Sequence, residues 1–190
     1  MSAAVLACAC AGEGAYLISP ALRAVQDARV AVLPFDNDSA EPGAAGAMRA
    51  MAAEGFGRRG YPPLPLEEVD GVLRGPGRAA GAPPAAGAGR VPGAGLLCYG
   101  TVEAFSLENL GLAVRKEVRL RLKIVSASTG ETLFEGEGAG KEFRSFPGQA
   151  EARSYFMEQS ALGGGAAPEP ALRRAALAAA AEVLDRLPRR

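Results

Sequence analysis

Leu96–Gly138, LLCYGTVEAFSLENLGLAVRKEVRLRLKIVSASTGETLFEGEG, carries the long period-two pattern that decides the fold class of this chain. Between Val114 and Ile124 the apolar Val118, Leu120, Leu122 and Ile124 alternate with Arg115, Glu117, Arg119, Arg121 and Lys123. That spacing describes a strand with one buried and one solvated face. Upstream, Leu96, Cys98, Val102 and Ala104 alternate with Tyr99, Thr101 and Glu103; downstream, Thr132 and Phe134 alternate with Leu133, Glu135 and Glu137. Asn109 and Gly111 punctuate the first connection and Ser126-Ala-Ser-Thr-Gly130 the second, as hairpin turns require. The stretch therefore predicts an antiparallel meander. Burying each large aliphatic of its apolar face contributes roughly 1.5–3 kcal/mol, enough for it to carry a domain core.

Working outward, Arg29–Phe35, RVAVLPF, is a β-branched and apolar run that ends at a proline and reads as a buried strand. Asp38 or Ser39 is placed to cap a following helix with Glu41 and Pro42 in its first turn and Met48, Met51, Ala52 and Phe56 along one face, ending at Gly57 or Gly60. Tyr61–Pro65 is proline-rich and predicts an edge strand or a merely extended segment. Leu66–Arg74 predicts a short helix, with acids in its first turn and an arginine in its last. Gly75–Gly95 is dominated by Gly, Pro and Ala and reads as a low-complexity insertion without phosphate-loop spacing. Towards the C-terminus, Glu151–Gln159 can form a helix through Tyr155, Phe156 and Met157. Glu169–Leu187 predicts a helix with Pro170 near its first turn and Leu172, Ala176, Ala180, Val183, Leu184 and Leu187 on one stripe. The fold class is α/β (α+β): a mixed sheet of about four to five strands built on the meander, with helices on one face. Residues 1–28 read as a tether with a short helical piece around Ala21–Gln26, and residues 29–190 as a single domain interrupted by the 75–95 insertion.

Composition narrows the function classes. Twenty-one basic residues balance twenty-one acidic ones, which argues against a dedicated nucleic-acid binder. Histidine is absent, which removes the commonest general base and transition-metal ligand together. An enzyme would have to draw on Asp36, Asp38, Glu103 and Tyr99, among which no nucleophile and base are paired in the sequence. The chain reads as no enzyme, with no cofactor and no metal site. Asp36–Ser39 is better explained as a capped turn, because Asp and Asn hydrogen-bond their own backbone there. The three cysteines, Cys8, Cys10 and Cys98, make no disulfide framework, and Cys98 falls on the apolar face as a small buried hydrophobe. There is no run of about 20 apolar residues to form a transmembrane helix.

Taken in order, RVAVLPFDNDS, GYPPLPLEEVDGVLR, LLCYGTVEAF and VRKEVRLRLKIVSASTGETLFEGEG resemble a family of Gram-negative outer-membrane lipoproteins of unknown function, the meningococcal surface-antigen type, distantly related to the TolB amino-terminal domain and to CsgG. The likeness covers most of Arg29–Gly138; Gly75–Gly95 departs from it, and Gly95 stands where the family carries an acid. The resemblance implies an α/β sheet, a lipid anchor facing the periplasm, and a role in envelope assembly or export beside other envelope lipoproteins and secretion or transport components, with self-association among its modes of contact. Val5-Leu6-Ala7-Cys8 resembles a lipobox, which makes Cys8 the expected lipidation site. No Lys or Arg precedes Arg23 and there is little room for the apolar run of about 7–15 residues that a secretory signal needs. The expectation is a chain whose true start lies further upstream; the other reading is a cytosolic α/β binding module. On the meander, Arg115, Arg119, Arg121 and Lys123 form a row that a partner protein could read. Glu103, Glu135 and Glu137 offset it, and it lacks the aromatics that nucleic-acid stacking uses.

Overall fold

The computed structural model describes residues 16–25, 28–74, 91–162 and 172–190, the side chains of 159–162 excepted. Along the chain these form β1 (Tyr16–Ile18), α1 (Ala21–Ala24), β2 (Arg29–Val32), β3 (Asp36–Asn37), α2 (Ala44–Arg58), α3 (Leu66–Arg74), β4 (Ala94–Asn109), β5 (Ala113–Ser126), β6 (Thr132–Ser145), α4 (Gln149–Leu162) and α5 (Arg173–Asp185). One sheet runs β1-β6-β5-β4-β2, and β3 continues the line of β2 beside β4. β2 and β3 lie parallel to β4, while the other strand-to-strand pairings among the described residues are antiparallel. The meander is thus the centre of an α/β fold, as its alternation predicts. Asn109 Oδ1 accepts the Gly111 N–H at 2.9 Å in the first turn, and Gly111 and Gly130 hold the two turns at positive φ.

β4 spans 16 residues, roughly 50 Å at about 3.3 Å per residue, so the meander runs well past its parallel neighbours as a three-stranded ribbon. Its parity changes on the way. A bulge between Val102 and Ala104 leaves Glu103 unpaired, sets Ala104 opposite Arg119 on the solvated side and turns Phe105 opposite Val118 into the core, where it is buried. Ala104 was expected on the apolar face; the extra residue moves it to the other.

The main core fills one face of the sheet. Val30, Val32, Leu96, Cys98, Val118, Leu120, Leu122, Ile124 and Phe134 meet Met48, Ala52 and Phe56 of α2, Leu22 of α1 and the alanine stripe of α5. α3 lies on the opposite face, where Val69 joins Ala31, Leu33, Leu64, Leu97 and Val125, so the helices are not confined to one side. Arg49, buried on α2, ties these layers: its Nε and Nη2 donate to the Val32 C=O at 3.0 and 2.8 Å, and Nη2 lies 2.7 Å from Asp70 of α3. A third cluster sits under α4 at the far end of the ribbon, with Val114 and Phe146 against Ala152 and Tyr155. There the buried Lys116 meets Glu142 at 3.2 Å, at charge-pair distance without hydrogen-bond alignment.

Several boundaries differ from those the sequence predicts. Residues 16–25 are part of the fold rather than tether: β1 extends the sheet beyond β6, and Leu22 is fully buried. Their strand is three residues long, too short for a periodic signal. With β1 and the two-residue β3 the sheet has six strands among the described residues. The expected cap at Asp38 or Ser39 does not form; Asn37 Oδ1 instead accepts from the Ser39 N–H and Oγ, and α2 starts after Gly43. The helix ends as expected near Gly60, with the Tyr61 N–H bonded to the Phe56 C=O and the Gly60 N–H to the Gly57 C=O. Tyr61–Pro65 is an extended edge segment that touches β2, Val30 bridging to Pro63. The end of the predicted insertion belongs to the domain, since Val91 is buried and β4 begins at Ala94. The rest of that insertion, Gln26, and the stretch around Gly163–Gly165, Glu169 and Pro170 lie outside the described residues.

α5 rests on the backbone of β6. Gly136, Gly138 and Gly140 face inward, opposite Leu122, Leu120 and Val118. A Cβ on Gly138 would overlap the Ala179 carbonyl, and one on Gly140 the Ala175 carbonyl. Helix and strand touch main chain to main chain, with Ala175, Ala176, Ala179 and Ala180 all buried. Because the obstacle at Gly140 is helix backbone rather than a side chain that can turn aside, Gly140→Val is expected to exceed the roughly 1–3 kcal/mol of ordinary overpacking. Leu120→Ala or Leu122→Ala should cost about 2–5 kcal/mol as cavity-forming changes. Denaturant midpoints measure both, and a Gly140→Val midpoint equal to wild type would refute the close seat.

Candidate functional site

The solvated face of the meander brings the predicted row together. Register sets Tyr99, Lys123 and Glu135 in one cross-strand line, Thr101, Arg121 and Glu137 in the next, then Ser106, Glu117 and Lys141, and finally Glu108, Arg115 and Phe143 at the far end. Strand alternation aligns these side chains on one face. Arg121 Nη2 lies 2.7 Å from Glu103 and 2.7 Å from Glu137, and Nε donates to Glu137 at 2.9 Å. The hydrogen bond that Arg121 donates to Glu137, then the charge of Glu103, raise the guanidinium pKa above its ordinary value. Glu117 gathers Arg115 at 2.8 Å, Arg119 at 3.2 Å and Lys141 at 3.9 Å. Arg115 also reaches Glu108 at 4.0 Å. Among the described residues Lys123 alone of the predicted row has no carboxylate within 4.0 Å.

The row is therefore a charge mosaic, not a basic track. The bulge at Glu103 lets a third strand contribute to Arg121, and no period-two reading locates that bulge in advance. Two further surface features are apolar. A cavity of ≈ 470 Å³ lies between the first hairpin and α4, lined by Leu112, Ala152, Phe156 and Met157. Phe143 on β6 is 66% exposed.

The other predicted residues are scattered. Asp36 and Asp38 are exposed at β3, where Asp36 pairs with Thr101. Glu103 is engaged with Arg121, and Tyr99 is partly exposed on the solvated face. Among the described residues no group of three or more Cys, Asp or Glu side chains could hold a metal ion, and no helix is long and apolar enough to cross a membrane. Cys8 and Cys10 lie outside the described residues. Cys98 is fully buried, and burial pushes its thiol pKa far up.

No protein-family model and no curated protein matches the chain. Solved structures do. The lipoprotein GNA1162 from Neisseria meningitidis superposes with a TM-score of 0.52 at 22% identity, covering 70% of this chain and 98% of that one. The PelC dodecamer from Paraburkholderia phytofirmans superposes with a TM-score of 0.51 at 16% identity, covering 85% of this chain and 88% of that one. At these identities the likeness is one of fold: a mixed α/β domain shared with a lipoprotein and with a subunit of a dodecamer.

Two predictions follow from the burial on either side of the sheet. Arg119→Ala and Arg121→Ala should stay near the ±0.5 kcal/mol typical of surface substitutions, because exposed ion pairs contribute about 0–1 kcal/mol each; a loss of several kcal/mol on denaturant titration would contradict the mosaic. Cys98 should resist alkylation in the folded protein. Its raised pKa also fixes a sign: the unfolded thiol ionises above about pH 8.5, the folded one does not, so its contribution to stability is complete below that pH and is lost as pH rises. A Cys98→Ala variant should lose part of the alkaline destabilisation, and identical pH profiles for the two proteins would contradict the assignment.

Proposed function

We propose that this chain is a non-catalytic lipoprotein of the cell envelope. It is anchored through Cys8 on the periplasmic face of the outer membrane and serves as an accessory or structural component of envelope assembly, transport or secretion. The observation that carries the reading is the fold shared with the lipoprotein GNA1162 over 98% of that chain, with Val5-Leu6-Ala7-Cys8 ahead of the fold in the sequence. Eight residue steps separate Cys8 from Tyr16, so an acyl chain on Cys8 would keep β1 within about 28 Å of the lipid.

Its chemistry is contact. Its partners are other envelope lipoproteins or secretion and transport components, and further copies of itself, the last supported by the dodecamer that PelC forms. Arg115, Arg119, Arg121 and Lys123, with the glutamates between them, offer a partner an alternating pattern that selects register and orientation more than raw affinity. No metal, cofactor or nucleic acid enters the proposal.

Expression from the gene with its natural upstream sequence tests the anchor. Palmitate labelling and outer-membrane fractionation should be lost in Cys8→Ser and kept in Cys10→Ser. Label that survives Cys8→Ser and disappears in Cys10→Ser would move the anchor, and an unlabelled, cytosolic chain would replace the envelope reading with that of a cytosolic binding module. Charge reversal of Arg119, Arg121 and Lys123 together should change the partners recovered by cross-linking from cells. An unchanged set from a folded variant would leave this face without a role.

A further inference from the structure

The outer edge of β6 is closed for part of its length and open beyond it. The Glu137 C=O and the Ala139 N–H point away from β5, and α5 satisfies both: Arg186 donates to the carbonyl at 3.0 Å, and Glu182 accepts from the N–H at 2.7 Å. With a period of two, the same outward direction recurs at Lys141, Phe143 and Ser145. Among the described residues nothing is bonded to those outward backbone groups, since β1 pairs only as far as Gly136. An open edge is a template for another strand, and this one carries Phe143, 66% exposed, at its centre.

The segment Lys141-Glu142-Phe143-Arg144-Ser145 is complementary to itself when reversed. A second copy laid antiparallel about a two-fold axis at Phe143 sets Phe143 against Phe143, Glu142 against Arg144 on both sides, and Lys141 against Ser145. Odd residues then oppose odd ones, so the outward N–H and C=O groups meet as hydrogen-bonded pairs. Opposite charges and aromatic pairs directly across strands are the favourable combinations. Arg144 is exposed and its guanidinium stacks over Phe146 and Tyr155 at 5.3 and 5.1 Å, with no carboxylate within 4.0 Å among the described residues. Glu142, opposite Lys116, keeps a quarter of its side chain exposed. We infer that the chain self-associates through antiparallel pairing of Lys141–Ser145 in two copies, joining β4-β5-β6 of each into one six-stranded ribbon, an isologous contact of the commonest symmetry. The inference deepens the protein-contact reading above by naming a second copy as partner; the test needs only the purified chain, so the fate of the envelope assignment is decided separately.

Light scattering on the full chain at about 100 µM, a concentration suited to a small interface, should give twice the 19.4 kDa chain mass. Phe143→Pro removes an outward N–H and the exposed ring, leaves the β5–β6 ladder intact, and should give a monomer that melts as dilute, monomeric wild type does. Arg144→Glu, which sets two carboxylates against each other, should weaken the dimer at least tenfold. Position 143 offers a direct probe, because a hydrogen-bonded antiparallel pair holds its Cα atoms about 5.5 Å apart, within the disulfide range of about 4.4–6.8 Å. In a Cys8→Ser, Cys10→Ser background, Phe143→Cys should oxidise to a covalent dimer and Lys123→Cys should not. A monomer without cross-linking at 143, or a dimer untouched by Phe143→Pro, would overturn the inference; the former would leave the edge to another segment of the chain or to a different protein.

Discussion

The close seat of α5 on β6 is the constraint on which the rest of the architecture depends. Gly138 and Gly140 leave no room for a Cβ beneath Ala179 and Ala175, so the helix can lie only where those glycines are. With that position fixed, Glu182 and Arg186 reach past the strand to its outer edge, and Leu184 fills the space left by Gly55 on α2. Arg59, after α2, donates from Nε to the Leu184 C=O at 3.0 Å and from Nη2 to the carbonyls of Asp185 and Leu187, satisfying C-terminal groups that a helix cannot satisfy itself. Arg190 then stacks on Tyr61 at 4.0 Å and its N–H bonds to the Arg59 C=O. One short-range packing choice thus ties the last helix to the first crossover.

How much of this is legible in the sequence follows from what periodicity records. The alternation through Val118, Leu120, Leu122 and Ile124 is a property of single residues along one strand, and it places the core face correctly. The stripe from Leu172 to Leu187 does the same for α5. The bulge at Glu103 is invisible to that method, because one inserted residue exchanges the faces and a period of two carries no marker for it. Gly136, Gly138 and Gly140 do leave a trace, an every-second-residue glycine row, but the meaning of Gly138 and Gly140 depends on a helix some 40 residues away in the sequence. β1 and the α5 side chains on the β6 edge are decided by tertiary pairing alone.

The charge balance of the solvated face was legible in part: Glu103 and Glu137 engage Arg121 as the sequence suggests, while the hold of Glu117 on Arg115 and Arg119 follows only from the folded strand. Arg115, Arg119, Arg121 and Lys123 do share one exposed face, yet three of the four are engaged with glutamates that the adjacent strands and β5 itself supply. A row of cations on one strand becomes a mosaic once neighbouring strands are in register. What distinguishes the distal ribbon is less its charge than its incompleteness, for β1, β2 and β3 all stop before it and, among the described residues, only α4 covers one side. The described residues divide into a proximal part where α5 and α2 bury the sheet and a distal part with an open strand edge and an exposed phenylalanine, while the charge mosaic runs along both.

That division makes a claim about local stability that native-state hydrogen exchange reads residue by residue. In dilute, monomeric protein the amides of α5 and of β5 and β6 between Val118 and Gly140 should exchange together, at the free energy of global unfolding. Those of α4 and of the ribbon beyond Val118 should exchange through smaller openings. A distal ribbon as protected as α5 would show one cooperative unit, and an α5 that opens before the meander would show that the seat on Gly138 and Gly140 does not hold the fold together.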